Sequence, residues 1–162
     1  MKSTLITVLV FATSTILLFS CSKNDDDIKT STIEEIMFNN LETEVLDLVN
    51  IHRTNNGLQK VSALNQPYTE ALNHNKYMIE QGKTSHDNFD LRRSNLILKS
   101  SAKVVLENVA AGYSTAESVM KQWLSSPSHR LVIENPNVQY MGISAQIDSR
   151  GINYYTQIFI GK

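Results

Sequence analysis

His86, Glu107 and His129 stand about twenty residues apart in a chain of 162 and are the residues best suited to chemistry. Two imidazoles and a carboxylate form a common open ligand set for zinc, with water in the fourth position. Such a site lowers the pKa of its water and supports hydrolysis. Without a metal, the same groups would serve as general acid and base near neutral pH, where histidine titrates. No local H-x-x-x-H spacing joins them, so they meet only through the fold. Nucleophilic catalysis has less to draw on. Ser85, Ser126 and Ser128 neighbour the histidines, but none sits in a G-x-S-x-G elbow. A purely structural use competes as well: Glu107 would accept bonds from loop amides, and His129 would bond the open carbonyls at a helix end.

The elements around these residues follow from periodicity. Glu107 precedes a small apolar run, Val109 to Ala111, that ends at Gly112, which predicts a carboxylate at a strand end or strand-to-turn junction, with Val104 to Leu106 as the buried lead-in. Ser114 and Glu117 form an S-x-x-E capping box, and Ala116, Val119, Met120, Trp123 and Leu124 recur at helical spacing. Pro127 stops that helix and leaves His129 in the turn beyond it. Gly82 closes an earlier helix framed by Pro67, with Tyr68, Ala71, Leu72, Asn75, Met78 and Ile79 on one stripe. His74 is offset from that stripe and reads as a surface or boundary side chain. His86 therefore falls on a loop, where polar residues often carry function. Asn88 or Asp87 would cap a short helix through Leu96.

Ile33, Met37, Leu41, Val45, Leu48 and His52 predict a first helix from about Ile33 to Thr54, with His52 on or beside its apolar face. Val61 to Leu64 is a short extended piece. Met141, Ile143 and Ala145 alternate with their neighbours, as do Ile152, Tyr154, Thr156, Ile158 and Ile160, and Asp148-Ser149-Arg150-Gly151 joins the two as a hairpin. Helices first and an antiparallel hairpin last predict an α+β fold with layered packing, holding a small sheet of about three strands between helices.

Length allows one domain with a real core. The formal charge of −1 favours neither nucleic acid nor an anionic membrane surface. Residues 1–20 read as a signal peptide: Lys2, then an apolar segment from Leu5 to Phe19 that is short for a membrane span of about 20 residues. Leu18-Phe19-Ser20-Cys21 resembles a bacterial lipoprotein box, so Cys21, the one cysteine, would carry lipid and anchor the chain at a membrane face. Residues 21–32, with Asp25, Asp26 and Asp27, form an acidic flexible tether. The run is similar to a signal for export to the outer cell surface and serves equally as a solvated spacer. Residues 33–162 remain as the domain, with no disulfide to brace it.

The ordered set Glu107-Asn108-Val109-Ala110-Ala111-Gly112, Trp123, Ser126-Pro127-Ser128-His129-Arg130, Asn135-Pro136 and Gly142 resembles the bacterial branch of the CAP superfamily, shared by cysteine-rich secretory proteins, antigen 5 and pathogenesis-related proteins 1. Asn50, Arg53, Gly57 and Leu58 match the family's first helix, and Ser85-His86 its first cleft histidine. The resemblance implies an α-β-α sandwich with a cleft lined by histidines and glutamates, in which His86, Glu107 and His129 are, by their chemistry, the candidate metal ligands for zinc or another divalent cation. It also places Ser126 where the family's fuller site has a second glutamate. The family's second histidine, in Gly-His-Tyr-Thr-Gln, has a competing match in Tyr154-Tyr155-Thr156-Gln157, which is set aside for His129. The expectation is a lipid-anchored module of the bacterial cell envelope, at the outer membrane and exposed at the surface, binding a lipid, glycan, peptide or protein partner. A metal-assisted hydrolase of peptide or cell-wall material and a structural surface protein are the alternatives.

Overall fold

The computed structural model describes residues 38–162; the signal segment, Cys21, the tether and the Ile33 start of the first helix lie outside the described residues. Among the described residues no helix is long and apolar enough to cross a membrane.

Helix α1 runs Asn40–Asn55. The helical periodicity overran its start, because Asn39 is extended and caps the helix: its side chain accepts from the Glu42 amide at 2.9 Å, and the Glu42 carboxylate takes the Asn39 amide at 2.9 Å. The other oxygen of Glu42 accepts from the Ala145 amide at 2.8 Å, so one buried carboxylate ties the helix start to the sheet. Helix α2, Asn65–Gln81, ends at Gly82 in the left-handed conformation, as the Pro67 and Gly82 frame predicts. Helix α3, Phe89–Ser100, runs past the expected stop at Leu96, and its N-cap, Asn88, makes no side-chain capping bond.

Strands β1 (Ser62–Ala63), β2 (Val104–Ala111), β3 (Tyr140–Ile147) and β4 (Asn153–Gly161) form one sheet ordered β1-β3-β4-β2. The expected antiparallel trio is present, but the sheet has a fourth strand: the extended piece at Val61 pairs parallel with β3. Helix α4 is Ala116–Ser125 and α5 is Pro127–Ile133. Thr115 and Ser118, rather than Ser114 and Glu117, make the capping box of α4. Pro127 does not merely stop a helix; it opens α5 at a first-turn position where its missing N–H is harmless.

Alternation along β4 divides the core between two faces. Tyr155 and Phe159 pack with Val45, Val49, Val119, Met120 and Trp123 from α1 and α4. Ile158 and Ile160 pack with Ala71, Leu96 and Val105 beneath α2 and α3. The result is the layered α+β sandwich, with β3 and β4 buried on both sides. Gly142 lets α2 come close: a Cβ there would run into the backbone of Pro67 and Tyr68. Asn75 then fastens α2 to the sheet, donating to the Ser144 and Tyr154 carbonyls at 2.7 and 3.0 Å and accepting from Thr156 Oγ1 at 2.6 Å.

Candidate functional site

Glu107 lies in the middle of β2, not at its end, because pairing with β4 continues through Ala111. Its side chain points to the α2 and α3 side of this edge strand and is 2% exposed. Burial by itself would raise its pKa, but hydrogen bonds from His86 and Arg92 and the Arg92 charge outweigh it and hold the carboxyl below its ordinary value. Arg92 comes from the first turn of α3, where Arg92, Leu96 and Ser100 form the buried stripe. Its Nε reaches Glu107 Oε2 and its Nη2 reaches Oε1, both at 2.7 Å, while Nη1 donates to the Asp87 carbonyl at 2.7 Å. This is the two-pronged geometry that suits guanidinium and carboxylate.

His86 completes the cluster. Its Nδ1 stands 2.8 Å from Glu107 Oε1. An ionised carboxylate only accepts, so Nδ1–H donates, and Nε2 is left without a partner among the described residues. The His86 side chain is 53% exposed, so a buried ion pair holds an open imidazole. The loop carrying it is braced from below: His74 Nε2–H donates to the Ser85 carbonyl at 2.7 Å, and Tyr77 OH donates to Asp87 at 3.0 Å. His74 is buried, not a surface side chain, and burial pushes its pKa down, with the Ser85 carbonyl opposing.

His129 makes no hydrogen bond to His86, Glu107 or Arg92. It lies in the first turn of α5 rather than in a turn beyond a helix. Its carbonyl accepts from Asn108, the residue next to Glu107 but on the opposite face of β2, at 3.1 Å. Its Nδ1 is buried without a partner among the described residues, and it does not bond the helix-end carbonyls. Burial, and then the charge of His86, lower its pKa, so the two imidazoles sense one another without meeting. Gln157, from the competing Tyr-Tyr-Thr-Gln match, lies behind it and accepts from Asn108 at 3.2 Å. His52 pairs instead with Glu134 at 2.9 Å. The sequence reading joined His86 with Glu107 and missed Arg92 and His74. Arg92 was detectable as the one cation on the stripe that also carries Leu96.

The carboxylate of this donor set does not fit a divalent cation, because both Glu107 oxygens are held by a guanidinium. Among the described residues no three His, Cys, Asp or Glu side chains are grouped to hold a metal ion.

Comparison with known proteins agrees with the fold. The profile of the CAP, or cysteine-rich secretory protein, family matches residues 46–159. The chain is 33% identical over 127 residues to the uncharacterized protein YkwD of Bacillus subtilis, a match covering 75% of this chain and 47% of YkwD. It is 29% identical over 129 residues to the uncharacterized membrane protein YlbC of the same organism, covering 75% of this chain and 34% of that protein. It thus spans half or less of these curated relatives. Among solved structures, an extracellular protein containing a SCP domain from Bacillus anthracis is 28% identical with a TM-score of 0.66, covering 75% of this chain and 40% of that one. An outer surface protein from Borrelia burgdorferi shares the fold at a TM-score of 0.70 and 19% identity, covering 78% of this chain and 96% of its own. On the family profile, and with the sandwich and the Glu107 strand in their places, the chain belongs to the bacterial branch of the CAP, or cysteine-rich secretory protein, family.

Proposed function

We propose that the protein is an extracytoplasmic binding module, held to a bacterial membrane by lipid on Cys21, that grips a glycan or peptide in the cleft at His86. The acidic run after Cys21 supports presentation at the outer surface. The similarity to a Bacillus anthracis protein described as extracellular supports the compartment. The observation that carries the reading is the His86 imidazole: half exposed, fixed through Nδ1 to a buried carboxylate, with Nε2 free to accept from a ligand hydroxyl or amide. Recognition is favoured over metal-assisted hydrolysis because the cation that such hydrolysis needs would meet the Arg92 guanidinium at Glu107.

The test titrates cell-wall glycan fragments and short peptides onto the wild-type protein and onto His86→Ala. Saturable binding that weakens about tenfold or more in the variant supports the cleft. Equal binding by both proteins would remove it, and cleavage products seen by mass spectrometry would move the reading to a His86-based hydrolase.

One observation favours an additional lipid ligand. A groove of about 580 Å³ between α1 and α4 has Leu48, Ile51, Met120 and Leu124 on its wall, with Glu117 and Lys121 among its polar residues, and suits an acyl chain with a polar head. Fatty-acid binding abolished by Ile51→Glu but indifferent to His86→Ala would assign it.

A further inference from the structure

We infer that Arg92 is a built-in cation of the cleft, standing where a family metal would act and shutting divalent ions out, so that His86 and Glu107 form a metal-free site. The inference rests on reading the His86 cleft as the functional site and says what kind of site it is.

Four observations converge on it. Glu107 offers about four lone-pair positions, and three are filled: two by Arg92 and one by His86. A metal at the remaining position on Glu107 would stand beside a guanidinium that does not deprotonate in proteins and that repels a dication at contact distance. Arg92 cannot swing aside cheaply either. It is 5% exposed, and its third bond, to the Asp87 carbonyl at 2.7 Å, ties it to the loop that carries His86. The neighbouring imidazole brings no help to a metal on the carboxylate, because His74 spends Nε2 on the Ser85 carbonyl.

Arg92 therefore does two things that a metal does elsewhere. It keeps the buried carboxylate ionised, and it fixes the geometry of the imidazole through that carboxylate and through Asp87. It is a positioning residue, because it presents His86 through Glu107 and through the Asp87 carbonyl.

The experiment is calorimetric titration of Zn²⁺ into full-length protein at neutral pH, all variants carrying Cys21→Ser to remove the single thiol. With Arg92 present, the expected result is no zinc binding that depends on His86. Arg92→Gln, which removes the charge and frees the carboxylate, is expected to gain at least about tenfold in zinc affinity and to lose the gain when His86→Ala is added. Micromolar, His86-dependent binding with Arg92 in place would overturn the inference, as would a folded Arg92→Gln protein with no gain. Should Arg92→Gln fail to fold, the His86 dependence measured with Arg92 present still decides. Failure of the glycan and peptide titrations would overturn the reading of the cleft and leave the zinc result standing, so the two failures are distinguishable.

Discussion

Arg92 and Glu107 meet through two contacts of 2.7 Å, and both side chains are almost wholly buried, at 7% and 2% exposure. Removing one partner leaves the other charged and without compensation. Arg92→Ala is expected to destabilise the protein by about 3–5 kcal/mol, and Glu107→Ala by a similar amount. The paired change Arg92→Met with Glu107→Leu should recover most of the loss. Urea unfolding of the three variants checks this, and additive losses in the pair would show that the two residues are not coupled.

Arg53 is buried, and among the described residues it has no carboxylate partner. Its guanidinium donates to the carbonyls of Gln59 at 2.8 Å, Ile133 at 2.6 Å and Asn135 at 3.0 Å, which closes the end of α5 and ties it to α1. Lysine keeps the charge but cannot fork to three carbonyls. Arg53→Lys should therefore cost more than about 2 kcal/mol of stability despite conserving charge. A near-neutral result in thermal unfolding would mean that charge alone, and not the fork, is what α5 requires.

The layers were legible in the sequence because each rests on a strong local period; the site was legible only in part. The hairpin at Asp148 and the Pro67 and Gly82 frame of α2 appear where their residues place them. Strand β1 lies inside the extended piece expected at Val61 to Leu64, but its pairing with Tyr140 and Met141 is long-range and leaves no local period to read. Ser114-Thr115-Ala116-Glu117-Ser118 contains two overlapping capping boxes, and only backbone geometry picks Thr115 with Ser118. Pro127 is compatible with a helix stop and a helix start alike, so His129 moved from a turn into α5. Arg92 shares the buried stripe with Leu96, but its role did not show, because an arginine in an amphipathic helix reads as solvated until a buried carboxylate is set opposite it.

His74 makes stability fall in mild acid. Burial depresses its folded pKa below the unfolded value near 6.5. Below that unfolded value the unfolded chain binds a proton that the folded chain refuses, so unfolding gains on folding. The contribution is whole above the unfolded pKa and is lost as pH falls through the folded one. His129, also depressed by burial, acts with the same sign. His74→Gln should flatten the decline in melting temperature between neutral pH and about pH 5. An unchanged slope in that variant would assign the decline elsewhere.

Gly142 sets the approach of α2 to β3, since any Cβ would meet the backbone of Pro67 and Tyr68 rather than a flexible side chain. Gly142→Ala should cost about 1–3 kcal/mol through overpacking. The strain lands at the start of α2, far along the helix from the His74 brace. Hydrogen exchange should therefore quicken around Tyr68 before it does around His86, and uniform quickening along the helix would argue against a local clash.

His86 and His129 should separate function from folding. His86 is half exposed and leaves Glu107 still held by Arg92, so His86→Ala is expected to cost less than about 1 kcal/mol. His129 differs: its buried Nδ1 has no partner among the described residues, so replacing the ring with an apolar one of similar size removes a buried polar atom without breaking a bond. His129→Phe should be neutral or stabilising. If the cleft binds its ligand through His86, His86→Ala loses binding while melting within a few degrees of wild type, and His129→Phe keeps the Asn108 contact to its carbonyl and retains binding. The two variants measured side by side, by melting and by ligand titration, make the distinction. A large fall in melting temperature for His86→Ala would turn the imidazole into a bracing group, because a recognition side chain resting on an already satisfied ion pair should be removable without loosening the fold.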